Sequence, residues 1–109
     1  MFEELPEPHK RVVCLIGYGK DRATQVSYIA KLTGLGDSTV RSLVAEAVVK
    51  YGMPIGTCNE AGRSGLYIIS NNEEKNDTVR NLKSRAKKIL QRANAISKMP
   101  SAEQEKMLL

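Results

Sequence analysis

The sequence predicts a mainly α-helical protein with a small β-hairpin: three helices, two short strands, then a long C-terminal helix. Three observations predict this. Val40, Leu43, Val44, Ala47, Val48 and Tyr51 fall at offsets 0, 3, 4, 7, 8 and 11, the spacing of one buried helix face. Val79, Leu82, Ala86, Ile89, Ala93 and Ile96 recur at alternating steps of three and four, a seam of about two and a half heptads. Between these two stretches, GLYIIS at residues 65–70 is rich in strand formers.

Residues 1–8, MFEELPEP, read as a flexible arm, with Pro8 suited to a first helical turn. From His9 to about Gly17 the run VVCLI fits either a buried strand or a helix, and is read as a first helix stopped by Gly17 and Gly19. Residues 20–24 form a loop. Thr24 is an N-cap for a second helix to about Thr33, whose apolar face is Val26, Ile29, Ala30 and Leu32. After Gly34-Leu35-Gly36, Asp37 or Ser38 caps a third helix to about Tyr51. Gly52 and Pro54 end it. Residues 53–57 and 65–70 are the strands of a hairpin, joined by a polar, glycine-containing loop. Asn71, with Glu73 and Glu74 in the following turn, starts a helix that runs to about Lys98 and stops at Pro100. Ser101-Ala102-Glu103-Gln104 fits a capping box for a last short turn. The organisation read is therefore an arm at 1–8, a domain at 9–71, a long basic helix at 72–98 and a tail at 99–109.

With 109 residues the chain suits one modest core. Aromatic residues make up only 5% and Trp is absent, so that core is aliphatic. The net charge of +5 is concentrated in the body: residues 9–71 hold eight basic and four acidic side chains, and residues 72–98 hold eight and three. A basic body favours a polyanionic partner, nucleic acid ahead of anionic membrane. Cys14 and Cys58 form no metal-binding or disulfide framework, and Cys14 reads as a small core residue. His9, the only histidine, lies in or beside the arm, so no metal site, catalytic triad or enzyme is expected. No cofactor is expected either: Gly17-Tyr18-Gly19-Lys20 lacks the spacing of a phosphate loop. The N-terminus has no apolar signal segment, and the longest apolar run, residues 12–16, is too short to span a bilayer. A cytoplasmic location is expected.

Helices two and three carry the functional signal. A helix-turn-helix needs a small residue where its helices cross, a residue tolerant of positive φ at the turn, and apolar residues pinning the second helix. Ala30, Gly34, Leu35, Ile29, Val40 and Leu43 meet these demands in order. With QVSYIAKLTGLGDSTVRSLV as its specific part, the stretch from about Val12 to Ile69 resembles the winged helix-turn-helix family. The run YGMPIGT…GLYIIS and the basic helix after it look like small winged-helix proteins of phages and prophages, which serve as regulators or replication accessories. The resemblance implies binding to double-stranded DNA, with residues 38–51 as recognition helix in the major groove. It implies contacts from Asp37, Ser38, Thr39, Arg41, Ser42 and Ala45. Arg41 is the base reader, because its fork matches guanine O6 and N7. Ser38 is equally a cap, and Asp37 is a cap or an acceptor from cytosine. Arg63 at the wing tip is placed for phosphate or minor groove. Lys20, Arg22 and Lys31 are phosphate candidates, and Gln25 sits where the family touches the backbone. The rival expectation is a winged-helix module that docks a protein partner.

The last helix stays open at this level. Its seam fits a homodimer through residues 79–96, packing on its own domain, or contact with DNA or an acidic partner. Lys83, Arg85 and Arg92 flank the seam, so a parallel copy would meet like charges.

Overall fold

The computed structural model describes residues 4–59 and 64–100. It is mainly helical, with a three-stranded sheet and a long C-terminal helix. The elements are α1 (Glu7–Val13), β1 (Gly17–Tyr18), a 3-10 turn (Lys20–Arg22), α2 (Val26–Thr33), α3 (Asp37–Tyr51), β2 (Ile55–Cys58), β3 (Gly65–Ile68) and α4 (Asn72–Ser97). The chain divides into two compact units, Met1–Thr78 and Val79–Leu109.

The core of the first unit is aliphatic, as the scarcity of aromatics requires. Val12 and Val13 of α1, Ile29 and Ala30 of α2, and Val40, Val44 and Ala47 of α3 are buried together with Met53, Ile55, Leu66 and Ile68. Helices α1, α2 and α3 pack on one another, and burying their apolar faces supplies most of their stability. The α3 face is narrower than its periodicity implies, because Val48 and Tyr51 stay 37% and 42% exposed. Leu32, expected on the α2 core face, is 53% exposed.

The expected hairpin is one strand short of the real sheet. Strands β2 and β3 pair antiparallel, from Ile55 with Ile68 to Cys58 with Gly65. On the other edge of β3, β1 pairs parallel, Gly17 with Tyr67 and Tyr18 with Ile68. Thr24 adds an antiparallel bridge to Leu66: each N–H donates to the other's carbonyl at 2.7 Å. Thr24 therefore does not cap α2. Its hydroxyl accepts from the Gly17 N–H, and Gln25 takes the N-cap position. Gly65 permits this close approach, since a Cβ there would overlap the Thr24 carbonyl.

The arm and the first helix also differ from expectation. Leu5 is buried in the core, and α1 begins at Glu7 and ends at Val13, so Leu15 and Ile16 lie past its end. His9 belongs to the buried face of α1 rather than to the arm. Cys14 is exposed and Cys58 buried, and both are free thiols. Residues 20–24, expected as a loop, contain the 3-10 turn.

The start of α4 is capped as the sequence suggests. Asn71 Oδ1 accepts from the Glu74 N–H at 2.8 Å. The Glu74 carboxylate reaches back to the Ser70 N–H and hydroxyl, each at 2.7 Å, and across to the Lys20 N–H at 2.8 Å. One side chain thus ties the helix start to the segment after β1. The capping box expected at 101–104 lies outside the described residues. Among the described residues, no helix is long and apolar enough to cross a membrane.

Candidate nucleic-acid interface

The candidate interface is built on α2, its turn and α3. Helix α2 ends at Gly34, which adopts φ 75° and ψ 9° and donates its N–H to the Ala30 carbonyl at 2.9 Å. This left-handed conformation is inexpensive for glycine and lets the chain reverse within a few residues. Leu35 follows, partly buried against the core. Ala30, 8% exposed, is the small residue on the buried face of α2. Ile29 and Val40, both at 0%, hold the two helices on the core.

With Val40, Val44 and Ala47 turned inward, helical periodicity puts Ser38, Ser42, Ala45 and Val49 on the opposite face of α3. Arg41 flanks that face on one side, and Thr39 and Glu46 flank it on the other. Asp37, Ser38, Thr39, Arg41, Ser42 and Ala45 are all exposed. The N-cap position is held by Gly36, so Asp37 and Ser38 fall in the first turn and neither is the cap. Asp37 there complements the positive end of the helix, while the hydroxyls of Ser38, Thr39 and Ser42 face solvent. The first turns of α3 thus present one guanidinium, three hydroxyls and one carboxylate.

Gln25, Arg22 and Lys31 are also exposed, at the α2 N-cap, in the 3-10 turn and in the last turn of α2. Lys20 differs. It is half-buried, and its ammonium lies 3.8 Å from the Asp77 carboxylate, so it serves structure before it serves a phosphate. Arg63 lies outside the described residues.

Comparisons with protein families, with curated proteins and with solved structures found no match.

Three features escaped the sequence reading. Tyr28, 55% exposed on α2, adds a phenol beside Gln25. Its place opposite Ile29 and Ala30 in the helical period was the available signal. Arg11 Nη2 donates to the Thr33 carbonyl at 3.3 Å, so a cation from α1 meets the negative end of α2. His9 Nε2 lies 2.6 Å from Glu46 Oε2, and its ring meets Tyr51 edge-on at 5.5 Å. That pair crosses 37 residues of sequence, and no local pattern announces it.

Proposed function

We propose that this chain binds duplex DNA sequence-specifically through a winged helix-turn-helix, as a regulator of transcription or an accessory of phage or prophage replication. The observation that carries the reading is α3 itself: its inner face is buried against α1 and α2, and its outer face and flanks leave Ser38, Ser42, Arg41 and Thr39 open to solvent. In this reading α3 enters the major groove and Arg41 donates to a guanine edge. Gln25, Arg22 and Lys31 hold phosphates, and the β2–β3 hairpin with Arg63 is the wing. The order α1, β1, α2, α3, β2, β3, α4 supports it, as does the left-handed Gly34 turn.

Selection of bound sites from a random duplex library tests the proposal. A short consensus containing guanine, weakened by Arg41→Ala at one position only, is the expected result. Recovery of no consensus would count against sequence-specific reading.

A second reading, docking of a replication or transcription protein on the same surface, is favoured by Val49. This aliphatic side chain is 83% exposed on the outer face of α3, where a phosphate backbone gains nothing from it. Val49→Lys separates the two: added charge strengthens DNA binding and weakens an apolar protein contact.

A further inference from the structure

The second unit presents a surface that the DNA reading does not use. Val79, Leu82, Ile89, Leu90 and Ile96 of α4 are 42%, 47%, 51%, 62% and 59% exposed. Successive helical residues turn by about 100°, so these side chains with Ala86 and Ala93 cover an arc of roughly 120°. Cations border the arc on both sides, Lys83 and Lys87 on one and Arg85 and Arg92 on the other. Residues 79–98 carry seven basic side chains and no acidic one.

Three properties identify what fits. The seam steps by three and four with a mean of 3.5, the repeat that keeps a second helix in register. Ala86 and Ala93 leave room for large side chains from a facing helix. Every charged residue on the border is a cation, so the facing helix needs anions. A second copy of α4 repeats the seam, and antiparallel it sets Ile89 over Ala86 and Leu82 over Ala93, but it fails the charge. In a parallel in-register pair, Ala86 and Ala93 would each face their own counterpart and bury little. In the antiparallel pair, Arg85 of one copy would face Arg92 of the other, twice. An anionic lipid surface matches the charge but gains nothing from a 3.5-residue seam or from the small Ala86 and Ala93, and no aromatic residue follows Tyr67 to anchor it.

We propose that the apolar stripe of α4 over residues 79–96 is the docking surface for an acidic amphipathic helix of a partner protein. The partner helix lays large aliphatic residues over Ala86 and Ala93 and sets carboxylates against Lys83, Arg85 and Arg92.

The full chain is titrated into a fluorescein-labelled synthetic helix of three heptads, with Leu and Ile at the seam and Glu at the flanking positions. A second probe carries Lys in place of Glu. The Glu probe binds at least ~10-fold more tightly than the Lys probe, and its binding weakens as salt rises. Ile89→Asp abolishes that binding, and the double variant Arg85→Glu/Arg92→Glu narrows the preference between probes. Circular dichroism confirms that both variants keep their helix content. Equal affinity for the two probes, or indifference to both variants, overturns the proposal. So does a dimer in sedimentation equilibrium that Ile89→Asp dissociates, because the second copy is then the occupant. Binding to phosphatidylserine vesicles with no binding of the Glu probe overturns it in favour of a membrane surface.

Discussion

His9 Nε2 of α1 lies 2.6 Å from the Glu46 carboxylate of α3, while its side chain is 11% exposed and packs edge-on against Tyr51. The contact ties α1 to α3, and it draws an anion on α3 toward the protein. His9 Nδ1 has no hydrogen-bond partner among the described residues, so this orientation rests on the Glu46 contact and on packing. His9→Ala removes the bond and leaves a gap beside Tyr51. A loss of about 1–3 kcal/mol is expected in urea denaturation. An unchanged midpoint would show that the pair contributes nothing.

Gly34 provides a cleaner test of the turn. A Cβ there would meet nothing within 4 Å, so the only penalty of a side chain is its φ of +75°. Gly34→Val therefore costs on the order of 1–3 kcal/mol through backbone strain alone. Gly34→Asn costs less, because asparagine tolerates the left-handed region. Equal thermal stability for the two variants would contradict this account.

Gly56 is set by space rather than by φ. A Cβ on this β2 residue would overlap Thr78 Oγ1 and come within 2.7 Å of the Tyr67 ring. Tyr67 is fully buried, and its hydroxyl lies 3.1 Å from Thr78 Oγ1, the hydrogen bond that seats the first turns of α4 on the sheet. Gly56→Ala should lower stability by about 1–3 kcal/mol. It should also speed amide exchange at residues 74–78 more than in α2. Uniform exchange across both segments would argue against a local displacement.

Glu74 makes stability depend on acid. Burial acts to raise its pKa, but the backbone N–H groups of Lys20 and Ser70, the Ser70 hydroxyl and the Lys20 charge outweigh it. The carboxyl is held below its ordinary value of 4.5. A carboxylate depressed on folding contributes stability that is complete above its unfolded value and lost as pH falls through the lower folded value. Unfolding free energy should therefore fall below about pH 4.5, and Glu74→Gln should flatten that limb while weakening the protein at neutral pH. Parallel acid limbs in the two proteins would exclude this carboxylate as the cause.

How much of this was legible in the sequence depends on the range of the interaction. Gly34, Gly52 and Asn71 act within their own helix ends, and the residue types alone announced them. The inward face of α3 was legible because one period of apolar residues fixes it. Thr24 misled because a hydroxyl before a helix looks like a cap, whereas its backbone is drawn into the sheet by Leu66, 42 positions away. Strand β1 is two residues long, too short to show any alternation. Cys14 misled because the apolar run outlasts α1, so the residue after Val13 turns to solvent. Of the candidate site, exposure on α3 was readable, while the Lys20–Asp77 and His9–Glu46 pairs depend on tertiary distance and were not.

The proposed reading of duplex DNA turns on Arg41, beside the outer face of α3. Fluorescence anisotropy with a labelled duplex carrying the selected consensus, at low and at moderate salt, tests it most directly. The account predicts binding that weakens steeply with salt and falls at least about tenfold in Arg41→Ala, with the fold intact. Equal affinity of Arg41→Ala and the unmodified protein for that duplex, or no affinity at low salt, would contradict it.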